Sequence, residues 1–190
     1  MQHEFVFAGF GGQGVMFAGQ LLTYAAMDQG FNVTWIPSYG PEMRGGTANC
    51  FVIISDAAIG SPVVKQPKVG VIFNTPSYTK FAPTIHSDGL LVYNDSMIIH
   101  PDKRTDLRVV AVPATELATK VGDVQMTNMI MLAATLVCYP ILSIDALKGA
   151  LEAHLPAHRR SKLAANYEAI ARGVEFAQRQ GAAVASISHA

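Results

Sequence analysis

The stretch HEFVFAGFGGQGVMFAGQLL, residues 3–22, decides how the rest of the chain is read. Its first part, centred on Val6 and Phe7, is a continuous run of aromatic and apolar residues, the composition of a strand covered on both faces. The run passes directly into glycines, and from Gly12 to Gln29 alanine, leucine and methionine recur at helical spacing, with Gly30 as the stop. Strand, glycine turn and helix in this order open a βαβ unit, so the remaining apolar runs are read first as strands of a parallel sheet.

That reading extends along the chain. NVTWIP (32–37), NCFVIIS (49–55), VGVIFN (69–74), LLVYND (90–95) and LRVVAVPA (107–114) are short β-branched or aromatic runs bounded by turn formers. A helix is predicted from Pro76 to about His86. The C-terminal third reads as helical: Thr115–Gly122, Met126–Tyr139 (apolar nearly all round), Ser143–His154 with Ser143 as N-cap, and about Arg159–Gln180 after Pro156. The fold class is therefore α/β: a single Rossmann-like domain, a mostly parallel sheet with helices on both faces, and a helical C-terminal third. Residues 1–180 form the domain, and 181–190 (GAAVASISHA) a weakly ordered tail.

Composition narrows the function. The 190 residues carry 14 basic and 14 acidic side chains, so the net formal charge is zero and there is no footprint for nucleic acid. Only 15% of residues are charged, against a usual share of about 25%, and the mean hydropathy is +0.26. The longest apolar stretch, Met129 to Val137, falls far short of the roughly 20 residues of a membrane span, and the N-terminus lacks a secretory pattern. A cytoplasmic protein with no membrane contact is expected. The surplus apolar character belongs either to a fully buried sheet or to surface that closes against partner chains, a second copy included. Cys50 and Cys138 are far apart and read as free thiols; with no CxxC run the chain cannot by itself hold an iron–sulfur cluster. The six histidines are scattered without a metal-binding spacing, and no serine nucleophile elbow occurs.

Two glycine-rich loops carry the chemistry. In GFGGQG, Gly9, Gly11 and Gly14 satisfy G-x-G-x-x-G between a strand and a helix, the context in which helix N-terminal amides receive a phosphate. A dinucleotide site also wants a carboxylate about 20 residues on, to hold the ribose, and the second strand ends instead in Trp35-Ile36-Pro37. No Gly-Lys-Ser/Thr follows either, which removes a P-loop. Three readings stay open: a packing turn, a loop that holds a phosphate-bearing anion, or an NAD or FAD site of unusual form. The second loop, PSYGPEMRGGTAN (37–49), sets Tyr39, Glu42, Met43 and Arg44 between Gly40-Pro41 and Gly45-Gly46. It follows strand two as the first loop follows strand one, so the two are expected at one sheet edge, with Arg44 a bidentate partner for phosphate or carboxylate, or else tied to Glu42. Asn74 ends strand four at the same edge and either reaches the site or caps the next helix. His154, His158, Arg159, Arg160 and Lys162 form a basic cluster that reads as a solvated helix start rather than a ligand site.

GFGGQGVMFAGQLL and PSYGPEMRGGTANCFVIISDAAIGSPVV together resemble the gamma subunit, or gamma domain, of the 2-oxoacid:ferredoxin oxidoreductases. The likeness is densest over residues 7–64 and continues through FNTPSYTKF, NDSMII, QMTNMIMLAA and NYEAIARGVEF. It implies a chain that is inactive alone and works with alpha, beta and ferredoxin-like delta subunits, passing electrons to ferredoxin as a 2-oxoacid is oxidatively decarboxylated to acyl-CoA. Thiamine diphosphate, Mg2+ and iron–sulfur clusters would belong to the other subunits, and coenzyme A would meet this chain at a shared site. Carried over residue by residue, the first family loop falls on Gly9, Gly11, Gly12, Gln13 and Gly14. The second falls on Tyr39, Gly40, Pro41, Glu42, Met43, Arg44, Gly45 and Gly46. The uninterrupted second loop and IGSPVV look more like the 2-oxoglutarate type than the pyruvate type. A pure assembly subunit and a free-standing NAD/FAD oxidoreductase are the alternatives.

Overall fold

The computed structural model describes residues 1–38, 47–99, 101 and 104–187. Each of the six apolar runs forms a strand: β1 (Gln2–Phe10), β2 (Asn32–Ser38), β3 (Thr47–Ser55), β4 (Val69–Ile72), β5 (Leu90–Asn94) and β6 (Arg108–Val112). They make one sheet in the order β2-β3-β1-β4-β5-β6. β1, β4, β5 and β6 are mutually parallel, while β3 runs antiparallel to both β1 and β2. The reversal of β3 has a covalent reason. Only residues 39–46 separate it from β2, and a parallel crossover needs about a dozen residues or more.

The helices are α1 (Val15–Asp28), α2 (Thr75–Phe81), α3 (Ala114–Val121), α4 (Thr127–Cys138), α5 (Ile144–His154) and α6 (Leu163–Ile187). α1 stops as its sequence predicts: the Gly30 amide donates to Met27 O at 2.9 Å and the Phe31 amide to Ala26 O at 3.1 Å, a Schellman closure. Ser143 caps α5 through its hydroxyl, which accepts from the Ala146 amide. One helix is shorter than expected and another is displaced along the chain. α2 ends at Phe81 and continues only as a 3-10 turn over Ala82–Thr84, because Pro83 has no amide to extend the helical ladder. The last helix is displaced: residues Ala157–Lys162 form a 3-10 turn, and α6 begins after it and runs to Ile187, past the expected end at Gln180.

β1 shows why its sequence is apolar without alternation. Phe5 and Phe7 belong to the core on the face packed by α1 and α4, while Val6 and Ala8 belong to the core under α2. The larger core is closed by α4, in which every residue from Met129 to Ala134 is fully buried between the sheet and α6. Gly173 of α6 permits that approach: a β-carbon there would stand 2.4 Å from the Ile130 carbonyl oxygen. Cys50 and Cys138 are both free thiols, and burial pushes the Cys50 thiol up to about 12. No helix among the described residues is long and apolar enough to cross a membrane.

Candidate functional site

The parallel strands share one C-terminal edge, and β1 delivers the first glycine loop to it. The loop is folded on itself: the Gln13 amide donates to Phe10 O at 3.2 Å, and the Phe10 amide donates back to the Gln13 side chain at 2.7 Å. The same Gln13 Oε1 accepts from Asn74 Nδ2 at 3.2 Å, and Asn74 Oδ1 accepts from the Ser77 amide at 2.9 Å. The capping reading of Asn74 holds, and its side chain also bonds to the loop. It caps α2 and it ties β4 to the glycine loop.

Gly14 starts α1 in the left-handed region, at φ 73°. Among the described residues its N-cap offers no side-chain hydrogen bond and no acid lies in its first turn, so the amides of Val15, Met16 and Phe17 carry the positive end of the helix dipole. α4 braces the loop from behind. Asn128 Nδ2 donates to Gly14 O at 3.3 Å, and its other end accepts from the Met129 amide.

In front of the loop lies a cavity of about 710 Å³, within the range of small-molecule and cofactor sites. Gly11, Gly12, Gly14 and the first turn of α1 form one wall. The facing wall is the end of α5 and the 157–162 turn, with His154, His158, Arg159 and Lys162. The basic cluster is the solvated start of α6, with His158, Arg159 and Arg160 exposed, and it also stands opposite the glycine loop; Arg160 alone of the five does not line the cavity. The signal was present in the sequence as a concentration of cationic side chains after Pro156. What one chain pattern could not supply was the topology that carries this turn back across the mouth of β1.

The basic side chains differ in what they already hold. Lys162 Nζ donates to Asp123 Oδ2 at 3.1 Å and to Gln125 Oε1 at 2.6 Å. Burial alone would raise the Asp123 carboxyl, but the Gln125 amide and the Lys162 ammonium outweigh it and hold it below the usual carboxylate range. His154 Nε2 lies 2.9 Å from Asp28 Oδ2 and its ring stacks on Tyr24 at 4.3 Å. The side chains of His158 and Arg159 have no hydrogen-bond or ion-pair partner among the described residues. Gly9, Gly11, Gly12, Gln13, Gly14 and Asn74 are thus gathered at one edge. Tyr39, Gly40, Glu42, Met43, Arg44, Gly45 and Gly46 lie outside the described residues. The strand ends that flank them sit at this same edge, since Phe10 pairs with Thr47 and Ser38 with Asn49.

Comparison with known proteins identifies the family and the fold. A sequence model of the family described as Pyruvate ferredoxin/flavodoxin oxidoreductase matches residues 4–176. The chain is 44% identical over 125 residues to ketoisovalerate oxidoreductase subunit VorA of Methanothermobacter marburgensis, covering 66% of this chain and 26% of that protein. It therefore spans about a quarter of the length of that relative. With 2-oxoglutarate synthase subunit KorC of Methanocaldococcus jannaschii it shares 30% identity over 182 residues, covering 94% of this chain and 95% of the other. The keto/oxoacid ferredoxin oxidoreductase gamma subunit of Geobacter sulfurreducens superposes with a TM-score of 0.81 at 25% identity, covering 93% and 99% of the two chains.

Proposed function

The chain belongs to the pyruvate ferredoxin/flavodoxin oxidoreductase family, and from that premise we propose that it serves as the gamma subunit of a multisubunit 2-oxoacid:ferredoxin oxidoreductase, where it forms part of the coenzyme A site. The observation that carries this reading is the cavity whose two walls are an uncapped helix N-terminus and a basic turn. Coenzyme A is a thiol attached to a pyrophosphate and a ribose phosphate, so it asks for anion-binding groups at one end and leaves its reacting sulfur to another surface. The task of this chain is to hold and orient that ligand and exclude water around it. Thiamine diphosphate and iron–sulfur clusters, held by the partner subunits, supply the decarboxylation and the electron transfer. The missing ribose acid fits this role better than NAD binding. So does the sheet, in which antiparallel β3 occupies the place beside β1 where a dinucleotide fold sets its second parallel strand.

The end-to-end correspondence with KorC favours 2-oxoglutarate as the oxoacid. The stronger identity with VorA over a shorter span favours a branched-chain oxoacid as the second reading. The test is co-purification of the tagged chain under anoxic conditions, followed by dye reduction with coenzyme A and either 2-oxoglutarate, 2-ketoisovalerate or pyruvate. The reading expects thiamine-binding and ferredoxin-like chains in the eluate, turnover fastest with 2-oxoglutarate, and none from the chain alone. Turnover by the isolated chain, or recovery of the chain without partners, would overturn it.

A further inference from the structure

The cavity holds two kinds of anion-binding equipment, and they are not equivalent. The α1 wall offers backbone amides and a helix dipole but no charged side chain. The turn wall offers basic side chains, of which Lys162 is committed to Asp123 and Gln125, and His154 to Asp28. That leaves Arg159, with His158 beside it, as the guanidinium whose donors are unspent among the described residues on the cavity surface. Its base is held fixed. The Arg159 amide donates to Pro156 O at 2.8 Å, Asn166 Nδ2 donates to Lys162 O at 2.7 Å, and Lys162 pins the end of the turn to Asp123. A planar fork of donors on a fixed turn matches a terminal phosphate, which presents three oxygens and close to two negative charges, better than it matches a pyrophosphate bridged on both sides.

We infer that Arg159, supported by His158, binds the phosphate monoester on the ribose of the cavity's ligand, while the α1 amides take the pyrophosphate. This rests on the reading of the cavity as a coenzyme A site. Arg159 would then set specificity: it separates coenzyme A from the same molecule lacking its ribose phosphate, and it has no part in the chemical step.

The assembled complex provides the test, with KM measured for coenzyme A and for dephospho-coenzyme A. Arg159→Ala should raise the KM for coenzyme A by about 10-fold or more, leave that for dephospho-coenzyme A within about 2-fold, and leave kcat unchanged. Arg159→Lys should recover part of the loss. Arg160→Ala removes the same charge from the neighbouring position off the cavity, and should leave both constants near those of the parent. Equal effects on the two thiols, no effect on either, an Arg160 effect as large as that of Arg159, or loss of the complex on Arg159→Ala would each overturn the assignment. Arg44→Ala separates the two levels of inference. If it raises both KM values while Arg159→Ala raises neither, only the Arg159 role falls; if both variants leave both constants unchanged, the coenzyme A reading falls with it.

Discussion

Gly14 is where backbone conformation and side-chain packing make the same demand. Its φ of 73° is a conformation that a residue with a β-carbon adopts at a cost of about 1–2 kcal/mol. A β-carbon there would also stand 2.3 Å from Asn128 Nδ2. Gly14→Ala should therefore destabilise by about 2 kcal/mol or more, lowering Tm by roughly 5 °C in a chain of this size. Because part of that cost is the collision, Asn128→Ala should relieve it, and the double variant should lose less than the sum of the two single losses; strict additivity would show that Asn128 plays no part. His3 makes a different kind of prediction. Its Nδ1 lies 2.7 Å from the Tyr139 hydroxyl, and burial lowers its pKa below the ordinary 6.5. The unfolded chain then binds the proton more readily than the folded one, so the contribution of His3 is complete above pH 6.5 and is lost as pH falls through its folded value. Urea midpoints taken between about pH 7 and pH 5 should decline, and His3→Gln should flatten that decline. A slope that survives the substitution would place the responsible group elsewhere.

At the scale of elements, two glycines inside helices look alike in sequence and behave oppositely in the structure. Gly149 lies within α5 with nothing within 4 Å of where its β-carbon would be. Alanine there adds no contact and removes backbone freedom from the unfolded chain, so Gly149→Ala should stabilise by about 1 kcal/mol. Gly173 lies within α6 against the α4 backbone, and Gly173→Ala must push the two helices apart, at a cost of about 1–3 kcal/mol. Thermal melts of the two variants should move in opposite directions. Nothing in the local pattern separates them, since each sits in an ordinary amphipathic repeat and the difference comes from Ile130, more than 40 positions away in the chain. The strands were legible for the complementary reason. Residues such as Val69, Val71 and Val92 are buried because helices cover the faces of the sheet, and the continuous apolar runs this requires announce strands in the sequence. The direction of β3 was not carried by composition, although the short connection before it was a sufficient clue.

For the whole molecule, the glycine loop was legible because its residues are consecutive: strand, turn and helix lie within twenty-odd positions and dictate one another. The cavity was not legible, because Gly11 and Arg159 are brought together only after the chain has crossed the sheet and packed α4, α5 and the 157–162 turn around it. The same long-range packing shows how much of the C-terminus the fold requires. Asn166, Ala169, Ile170 and Ala177 of α6 are buried, with Ala169 and Ile170 fully so, and α6 packs along α4 beneath the brace of the glycine loop. We propose that the domain is complete by residue 180. Removal of residues 181–190 should shift Tm by no more than about 2 °C, in keeping with changes that leave the core intact. Removal from Ala169 onward strips Ile170, Gly173 and Ala177 from the face of α4 and uncovers Met129–Ala134, so that protein should fail to fold. The comparison is made by circular dichroism melts of the two truncated chains beside the full one. A large loss of Tm in the shorter truncation would move the domain boundary into the last ten residues, and the α4–α6 contact would no longer suffice to account for the stability of the site it supports.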